Sequence, residues 1–562
     1  MNLKKVLSWI LTLSLAATLT ACSGTSGTTG SDSSQEQSKT NDPDTSSASI
    51  QEDGPMTPYA ETIVANFGMD YDPNGTDATR LAEAGEPYTD NRWIQLFEEK
   101  LNVKTNYEVI TTWDQYNQQI KLLMSSNELP DYFKINNWSD FQQMAAAGAL
   151  TDMTDIYEKY ASPLLRSIIE KETDMVYLPV TYEGRMYGIP RVFPSTNGYN
   201  HLWIRRDWLK NLNLDVPETM DDLLNIARAF KNDDPDGDGQ DNTLGMRLDE
   251  TYLSNNKAIF WAFGAYPGIW LTKDDGSIDF GTIQPEMKAG LSFLKTMIDE
   301  GLVNPEFATT DRETSIEEIV SGKCGMYFAP HWETPKLSAE ADSNADWIAT
   351  PLPTEKAGDK IQIPLTMGGQ DGAYVCTSSC EHPEALVKML NVYVEALFGE
   401  TGDFNKYFAM EGVAPIWSSS PVSTLDTAID VDAHRQWKEA AKTGNYDDMV
   451  GSGKGFYEYD RDGLIEYGMM FGPEDSCFAF VDATYPDQVF PNAYFGAATP
   501  TQVERGSTLD EHINTSLAAI LSGQAELDSE FDKMASDWRS MGGDQIISEI
   551  TEVLSEFAES RK

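Results

Sequence analysis

Three aspartates at alternate positions are the most localised group in this sequence that could bind a cation. Asp234, Asp236 and Asp238 stand at positions 1, 3 and 5 of a loop, and such carboxylates converge when the loop coils. Gly239 at position 6 allows the tight turn that this coiling needs. The other candidate ligands are Gln240, Asn242 and Thr243. This spacing predicts a bound calcium ion.

The end of the same loop indicates which kind of calcium site it could form. Position 12 is Gly245 rather than the bidentate glutamate of an EF-hand, so the loop is not a helix–loop–helix sensor. The predicted role of the ion is therefore structural. The alternative is a solvated acidic loop without a metal, which repulsion among three neighbouring carboxylates disfavours.

Trp332 is the leading candidate for contact with an uncharged ligand. The short apolar run 324–328 predicts a buried strand, and Pro330 ends its hydrogen-bonding ladder because proline has no N–H to donate. Trp332 would then stand in a loop at a sheet edge, where open α/β sheets bind ligands. The alternative is that Trp332 is an ordinary core aromatic.

A second group of candidates follows the predicted strand 130–135. Asn136, Asn137 and Trp138 occupy the loop at the carboxyl end of this strand. Amide side chains both donate and accept hydrogen bonds, so they suit ligands rich in hydroxyl groups. For Trp138 the alternative is packing at the start of the next helix.

Further candidates are polar or aromatic side chains in loops along the rest of the chain. We expect one of Tyr266 and Trp270, which lie in a glycine-rich aromatic turn, to serve only in packing. The full set of these additional candidates is Arg191, Tyr266, Trp270, Gln370, Asp371 and Trp417.

Strand and helix patterns alternate in the first third of the chain. Apolar residues recur with strand or helix spacing over 62–67, 91–101, 103–110, 113–125 and 130–135, in the order strand, helix, strand, helix, strand. This alternation predicts βαβ units and a parallel sheet.

Length and charge limit the classes of function. With 562 residues the chain is too long for one ordinary core, so two or more lobes are expected. A formal charge of −49 argues against nucleic acid or anionic lipid as a partner and fits an uncharged ligand. We expect a monomer.

The N-terminus has the composition of an export signal. Lys4 and Lys5 precede the apolar stretch 6–17, which is too short to span a membrane. The following Leu-Thr-Ala-Cys ends at Cys22 and resembles a bacterial lipobox, whose cysteine receives a diacylglyceryl group. The alternative is a plain secretory signal with cleavage nearby.

This resemblance divides the first part of the chain into two segments. Residues 1–21 would be a lipoprotein signal peptide with Cys22 as the lipidated residue. Residues 22–57 are rich in Ser, Thr, Gly and Asp and nearly free of apolar residues, so they predict a flexible tether.

The remaining cysteines and histidines do not form a catalytic or zinc-binding pattern. Cys376 and Cys380 could form a disulfide in an oxidising compartment, or they could be free thiols. No zincin, nucleophile-elbow or phosphate-binding-loop motif occurs in the sequence. We therefore predict that the protein is not an enzyme, although the many carboxylates leave a two-carboxylate glycosidase open.

The order of several motifs resembles extracellular solute-binding protein family 1, of the maltose- and alginate-oligosaccharide-binding type. The motifs are Gly-Lys-x-x-Met…Pro-x-Trp at 322–332, Gly-Arg-Met-Tyr-Gly-Ile-Pro at 184–190, Ala-x-x-Gly-x-Leu at 145–150 and the acidic loop at 234–243. In this family the first presents a sugar-stacking tryptophan, here Trp332.

The resemblance implies an α/β, two-lobe fold of the periplasmic-binding-protein type II. Each lobe would be a mainly parallel sheet flanked by helices, and the second lobe would be rich in helices. The implied boundaries are 58–190 plus 325–375 for the N-terminal lobe and 191–324 plus 376–562 for the C-terminal lobe.

The resemblance also implies a function. The protein would be the lipid-anchored substrate-binding component of a carbohydrate ABC importer, on the extracellular face of the membrane, with structural Ca²⁺. Its partners would be an oligosaccharide and the permease subunits. The alternatives are a cell-surface polysaccharide hydrolase or lyase with an aromatic cleft, and a peptide- or signal-sensing lipoprotein.

Overall fold

The computed structural model describes residues 53–171, 173–365, 371–410 and 414–560, which belong to one compact unit. The predicted signal peptide, Cys22 and most of the predicted tether lie outside the described residues. Within the described part of the chain, no helix is both long enough and apolar enough to cross a membrane.

The strands are short and distributed along the whole described chain. They are β1 (Ile63–Asp70), β2 (Val103–Thr111), β3 (Tyr132–Ile135), β4 (Thr181–Tyr182), β5 (Arg185–Met186), β6 (Gly188–Pro190), β7 (His201–Arg205), β8 (Trp270–Thr272), β9 (Ile278–Phe280), β10 (Met326–Ala329), β11 (Trp347–Thr350), β12 (Ile363–Leu365), β13 (Ala373–Cys376), β14 (Ala409–Met410), β15 (Ala414–Pro415) and β16 (Val489–Pro491).

The α-helices surround these strands. They are α1 (Thr76–Glu83), α2 (Arg92–Leu101), α3 (Trp113–Ser126), α4 (Trp138–Ala146), α5 (Thr154–Tyr160), α6 (Pro163–Ile169), α7 (Arg206–Asn211), α8 (Met220–Asn232), α9 (Tyr252–Asn255), α10 (Lys257–Trp261), α11 (Met287–Asp299), α12 (Arg312–Val320), α13 (Lys336–Ala341), α14 (Glu384–Phe398), α15 (Phe404–Phe408), α16 (Ile429–Thr443), α17 (Gly451–Arg461), α18 (Ile465–Phe471), α19 (Cys477–Thr484), α20 (Pro500–Leu521), α21 (Leu527–Trp538) and α22 (Asp544–Ser560).

The first sheet has the order β2-β1-β3-β13-β6. β1 pairs in parallel with β2 and with β3, as the alternation of strands and helices predicts. β13 pairs antiparallel with both β3 and β6. The carboxyl ends of β1, β2 and β3 therefore meet at one edge, where loops can place side chains side by side.

The second sheet differs from the expected parallel sheet. Its order is β10-β7-β11, and the central β7 is antiparallel to both neighbours. Because β10 and β11 pair with β7, residues 326–329 and 347–350 belong to the second sheet and not to the first. The strand of the predicted segment 325–375 that does lie in the first sheet is β13. The chain therefore returns to the first sheet after β11, and not at residue 325.

Helix α14 follows the predicted lobe boundary at residue 376, yet it packs against the helices beside the first sheet. Its Tyr393 ring stacks on Trp93 of α2 with ring centroids 4.5 Å apart, so this helix packs against the first sheet's own helices. We call residues 58–190 and 371–419 the first lobe, and residues 201–350 and 429–560 the second lobe.

The segments that cross between the lobes are hydrogen-bonded to one another. The Leu425 amide donates to the Val192 carbonyl at 3.0 Å, and the Val192 amide donates to the Thr424 hydroxyl at 3.2 Å. The Arg191 amide donates to the Gly372 carbonyl at 3.0 Å. Neighbouring crossings that share hydrogen bonds can bend together, as a hinge requires.

Candidate ligand-binding cleft

A chain of alternating charges lies at the carboxyl edge of the first sheet. Asp70 ends β1, and its carboxylate is 3.0 Å from the ammonium of Lys134 on β3. Lys134 also lies 3.5 Å from Asp371, which forms an ion pair with Arg191. The predicted residues Arg191 and Asp371 are thus brought into direct contact.

Lys134 is buried in the middle of an otherwise apolar strand. Burial and the nearby Arg191 together lower the pKa of Lys134 to about 8, although Asp70 acts in the opposite direction. A buried ammonium is costly unless carboxylates neutralise it, so Asp70 and Asp371 are held close to it. Lys134 is not among the residues predicted from the sequence, although a single lysine in an apolar strand indicates that such partners are needed.

Arg191 connects this charged chain to an aromatic pair. Its Nε donates to the Ser423 hydroxyl at 2.9 Å, and its guanidinium lies 4.3 Å from the centre of the Phe193 ring. The Phe193 ring in turn is 5.5 Å from that of the predicted residue Trp417, which is half-buried. Arg191, Asp371 and Trp417 therefore belong to one cluster.

The two predicted asparagines have different environments. Asn137 caps helix α4, because its side-chain oxygen accepts from the amides of Ser139 and Asp140 at 3.1 and 3.0 Å. The Asn136 amide nitrogen is buried and has no hydrogen-bond partner among the described residues. Asn136 therefore keeps a free donor, whereas the Asn137 side chain stabilises the helix start.

Trp138 and Tyr266 both contact the segment that contains β16. The Trp138 ring meets Phe495 edge-on at 5.8 Å, which is a contact between the first and second lobes. The Tyr266 ring meets Phe490 edge-on at 4.8 Å. Both predicted rings are half-buried, and burial raises the pKa of Tyr266 to about 12, so its hydroxyl stays protonated. The aromatic residues Phe490 and Phe495 were not singled out from the sequence.

Trp270 is a core residue. Its side chain is only 8% exposed, and its ring packs 4.9 Å from Phe280, which stacks on Trp538. The Trp270 amide donates to the Asn492 side chain at 2.9 Å. Of the pair Tyr266 and Trp270, Trp270 is thus the one that packs inside the second lobe.

Trp332 lines a pocket of about 790 Å³ between the two lobes. Its side chain is 57% exposed, which excludes the alternative of a core tryptophan. The first lobe contributes α1 and the β14–β15 strands to this pocket, and the second lobe contributes Trp332, the start of α13 and α18. Such a space between lobes, with an exposed ring, is typical of a ligand cleft.

A buried ionic network supports the loop that carries Trp332. The adjacent Glu333 is buried and forms ion pairs with Arg247 and with Arg312. Arg247 also contacts Asp249 at 2.9 Å, and the Arg312 guanidinium lies 5.3 Å from the centre of the Trp332 ring. These contacts hold the tryptophan at the pocket without burying it.

Glu466 gives the same pocket an unused hydrogen-bond acceptor. One of its oxygens lies 2.8 Å from the Lys336 ammonium. The other oxygen, Oε2, is buried and has no hydrogen-bond partner among the described residues. A carboxylate oxygen can accept a hydrogen bond from a hydroxyl group but cannot donate one when ionised.

The acidic loop brings its three aspartates together. Asp234, Asp236 and Asp238 each place a carboxylate oxygen so that all lie within 4.8 Å of one another. Gly239 has a φ of +77°, and its amide donates to Asp234 at 3.1 Å. Burial and the neighbouring carboxylates raise the pKa of Asp236. Converging carboxylates that repel one another fit an oxygen-preferring divalent cation.

The other predicted ligands of this loop have different roles. Gln240 and Asn242 donate through their amide nitrogens to Asp238 at 3.0 and 3.3 Å. Thr243 is buried and its hydroxyl donates to the Phe230 carbonyl at 2.6 Å, so it is directed into the core. A side chain at position 245 would collide with the Ala227 carbonyl at 2.6 Å, which explains the glycine there.

Two further predictions concern Gln370 and the cysteines. Gln370 lies outside the described residues. The four cysteines of the described chain, Cys324, Cys376, Cys380 and Cys477, are free thiols in this structure.

Comparison with known proteins identifies the fold and the family. The model of the bacterial extracellular solute-binding proteins matches residues 77–396, more than half of the chain. The chain belongs to this family. The family predicted from the order of motifs is thus confirmed.

Relatives of this solute-binding protein extend over most of the chain. The polygalacturonan/rhamnogalacturonan-binding protein YtcQ of Bacillus subtilis (strain 168) is 25% identical over 484 residues, covering 80% of this chain and 86% of YtcQ. The fructooligosaccharide ABC transporter substrate-binding protein FusA of Streptococcus pneumoniae serotype 4 (strain ATCC BAA-334 / TIGR4) is 26% identical over 320 residues, covering 54% of this chain and 57% of FusA.

A solved structure of FusA from S. pneumoniae in complex with kestose has the same fold as this solute-binding protein. The TM-score is 0.61 at 19% identity, and the match covers 89% of this chain and 100% of FusA. The predicted two-lobe, periplasmic-binding-protein-like α/β fold is therefore confirmed, with the differences in strand pairing given above.

Proposed function

We propose that this solute-binding protein is the substrate-binding component of a carbohydrate ABC importer. The observation that carries the proposal is the pocket of about 790 Å³ between the lobes, into which Trp332 presents a largely exposed ring. The relatives YtcQ and FusA support it, since their names assign them a polysaccharide and an oligosaccharide as ligands.

The chemistry of the cleft suits sugars. The C–H face of a sugar ring packs on an aromatic ring, while its hydroxyl groups need both donors and acceptors. The Trp332 ring and the Glu466 carboxylate offer the aromatic contact and the acceptor at the pocket between the lobes, and the Asn136 amide after β3 has a free donor. An aromatic anchor in such a site contributes about 2 kcal/mol to binding.

The first test measures both binding and turnover. The purified protein without its first 52 residues is screened against an oligosaccharide panel by thermal shift and then by isothermal titration calorimetry. We expect at least one oligosaccharide to bind saturably. After incubation with the protein, chromatography of that sugar should show no shorter cleavage products. Turnover would favour the hydrolase or lyase, and the absence of any binding would reject the importer function.

We also propose that Cys22 carries the lipid that holds the protein on the extracellular face of the membrane. The support is the sequence alone, with two lysines, an apolar stretch and small residues before Cys22. The full-length protein should partition into the detergent phase of Triton X-114, and Cys22→Ser should move it to the aqueous phase. Detergent-phase partition of the serine variant would contradict a lipid on this residue.

We further propose that the acidic loop binds calcium as a structural ion. Asp234, Asp236 and Asp238 provide carboxylate oxygens in one place, as hard divalent cations require. The loop follows helix α8 directly, so a cation there would connect the end of this helix to the chain that leads back into the second lobe.

A further inference from the structure

We propose that the cleft selects neutral oligosaccharides over oligosaccharides of uronic acids. This inference rests on the proposed function, because it names the substrate class of the same site. The relatives leave the question open, since a polygalacturonan is a chain of acidic sugars whereas fructooligosaccharides are uncharged. The charges of the described cleft residues favour the neutral class.

A protein that binds a uronate needs cations that are not already neutralised, because each carboxylate of the ligand loses its hydration on entry. At the carboxyl edge of the first sheet, Lys134 is paired with Asp70 and Asp371, and Arg191 is paired with Asp371. Behind Trp332, Arg312 is paired with Glu333. Each of these three cations therefore already has a carboxylate partner in the protein.

The pocket between the lobes is negative rather than positive. Its described lining includes three carboxylates, Asp77, Glu83 and Glu466, but only two cations, Arg80 and Lys336. Lys336 is engaged by Glu466 at 2.8 Å. A uronate chain entering this pocket would therefore meet more carboxylates than cations.

Arg80 is the one cation of this lining that forms no ion pair within the described chain. It lies on helix α1 three residues after Asp77 and three residues before Glu83, so all three side chains share one face of the helix. Neither of these carboxylates has a cationic partner among the described residues, and their field opposes the attraction of Arg80 for an anion.

The unpaired polar atoms of the cleft also fit hydroxyl groups. Glu466 lines the same pocket, and its buried Oε2 can accept a hydrogen bond from an O–H donor, whereas a carboxylate placed beside it would be repelled. Sugar hydroxyl groups can therefore satisfy this atom, and a neutral hexose unit offers one more of them than a uronate, whose C6 hydroxyl is replaced by a carboxylate.

The test compares ligands of equal length that differ in charge. Neutral tetrasaccharides of several linkages and a tetragalacturonate are titrated calorimetrically into the protein, with and without added calcium and at about 50 and 500 mM NaCl. We expect the best neutral ligand to bind at least tenfold more tightly than the uronate in every condition. Equal or tighter binding of the uronate would overturn the inference while leaving the importer function intact. No binding by either class would reject both.

A pair of matched variants tests whether the pocket itself is responsible. Asp77→Asn/Glu83→Gln removes two negative charges beside Arg80, and Glu552→Gln/Glu556→Gln removes two from the exposed face of α22. We expect only the first variant to raise the ratio of uronate to neutral affinity, by fivefold or more at low salt. An equal rise in both variants, or no rise in the first, would contradict a local electrostatic origin. Unchanged melting temperatures show that both variants remain folded.

Discussion

Two tryptophans of the candidate set show how differently the same residue type can be used. Trp332 is 57% exposed in the pocket between the lobes, whereas Trp270 is 8% exposed and packs on Phe280. In the sequence both follow apolar stretches near glycines, and only the folded chain separates them. They therefore form a matched pair for mutation.

We expect Trp332→Ala to lower oligosaccharide affinity at least tenfold and to change the melting temperature little, because its ring contacts solvent rather than core. Trp270→Ala should instead lower the free energy of unfolding by about 3–5 kcal/mol, as for other large-to-small core changes. Calorimetric titration and urea denaturation measure the two effects. A stable Trp270 variant, or a destabilised Trp332 variant with intact affinity, would contradict these roles.

Asp430 is a buried carboxylic acid on helix α16 whose ionisation should weaken the fold. Burial raises the pKa of Asp430 from 3.8 to about 7, so the folded state holds its proton at pH values where the unfolded state has lost it. Its stability contribution is therefore fully present below pH 4, falls as the pH rises towards 7, and stays low above that.

Asp430→Asn should remove this pH dependence, because asparagine stays neutral in both states. We expect the variant to melt at a higher temperature than the parent at pH 8, with the advantage shrinking to nothing near pH 4. Thermal melts of the two proteins across this range measure it. A constant difference at all pH values would show that Asp430 does not titrate on unfolding.

At the scale of elements, the acidic loop and the helix starts depend on short-range chemistry. The loop coils because Gly239 adopts a positive φ and the aspartates accept from amides within it. Helix α20 begins in the same short-range way, with a capping box formed by Thr499 and Gln502.

We expect chelation of calcium to lower the melting temperature of the protein and added calcium to restore it, because the ion would neutralise three repelling carboxylates. Asp236→Asn should abolish this response. Asp241→Asn, outside the cluster of three aspartates, should keep it. Differential scanning calorimetry with and without a chelator measures these melting temperatures. If the melting temperature of the parent protein does not respond, the proposed metal site is wrong.

At the scale of the whole molecule, the lobes are arranged so that they could close on a ligand. The crossing segments share hydrogen bonds at Val192, Thr424 and Leu425, and the Trp138–Phe495 contact bridges the lobes. Closure around a sugar would bury both sides of the pocket, so that binding would make the whole molecule more compact.

Saturating oligosaccharide should therefore decrease the radius of gyration in small-angle X-ray scattering. At 100 times its dissociation constant, the ligand should also raise the free energy of unfolding by about 2.7 kcal/mol. Trp332→Ala provides the control, since a tenfold weaker affinity leaves it at about 10 times its own dissociation constant and should limit the gain to about 1.4 kcal/mol at the same sugar concentration. Binding without any change in scattering would show that the lobes do not move.

The local features of this protein follow from short stretches of its sequence. The βαβ alternation before residue 136, the acidic loop and the family could be predicted, because they depend on periodicity and on residues close together in the chain. The point at which the chain returns to the first sheet could not be predicted in this way. Whether residues 326–329 pair with β7 or with the first sheet depends on contacts across more than a hundred residues.

The site itself was decided by tertiary structure for the same reason. Lys134 lies next to Asp371, and Trp332 shares a pocket with Glu466, only because distant segments pack together. Burial separated Trp332 from Trp270, which residue type could not do. Local sequence thus specifies which groups are available, whereas the packing of the two lobes decides which of them can meet a ligand.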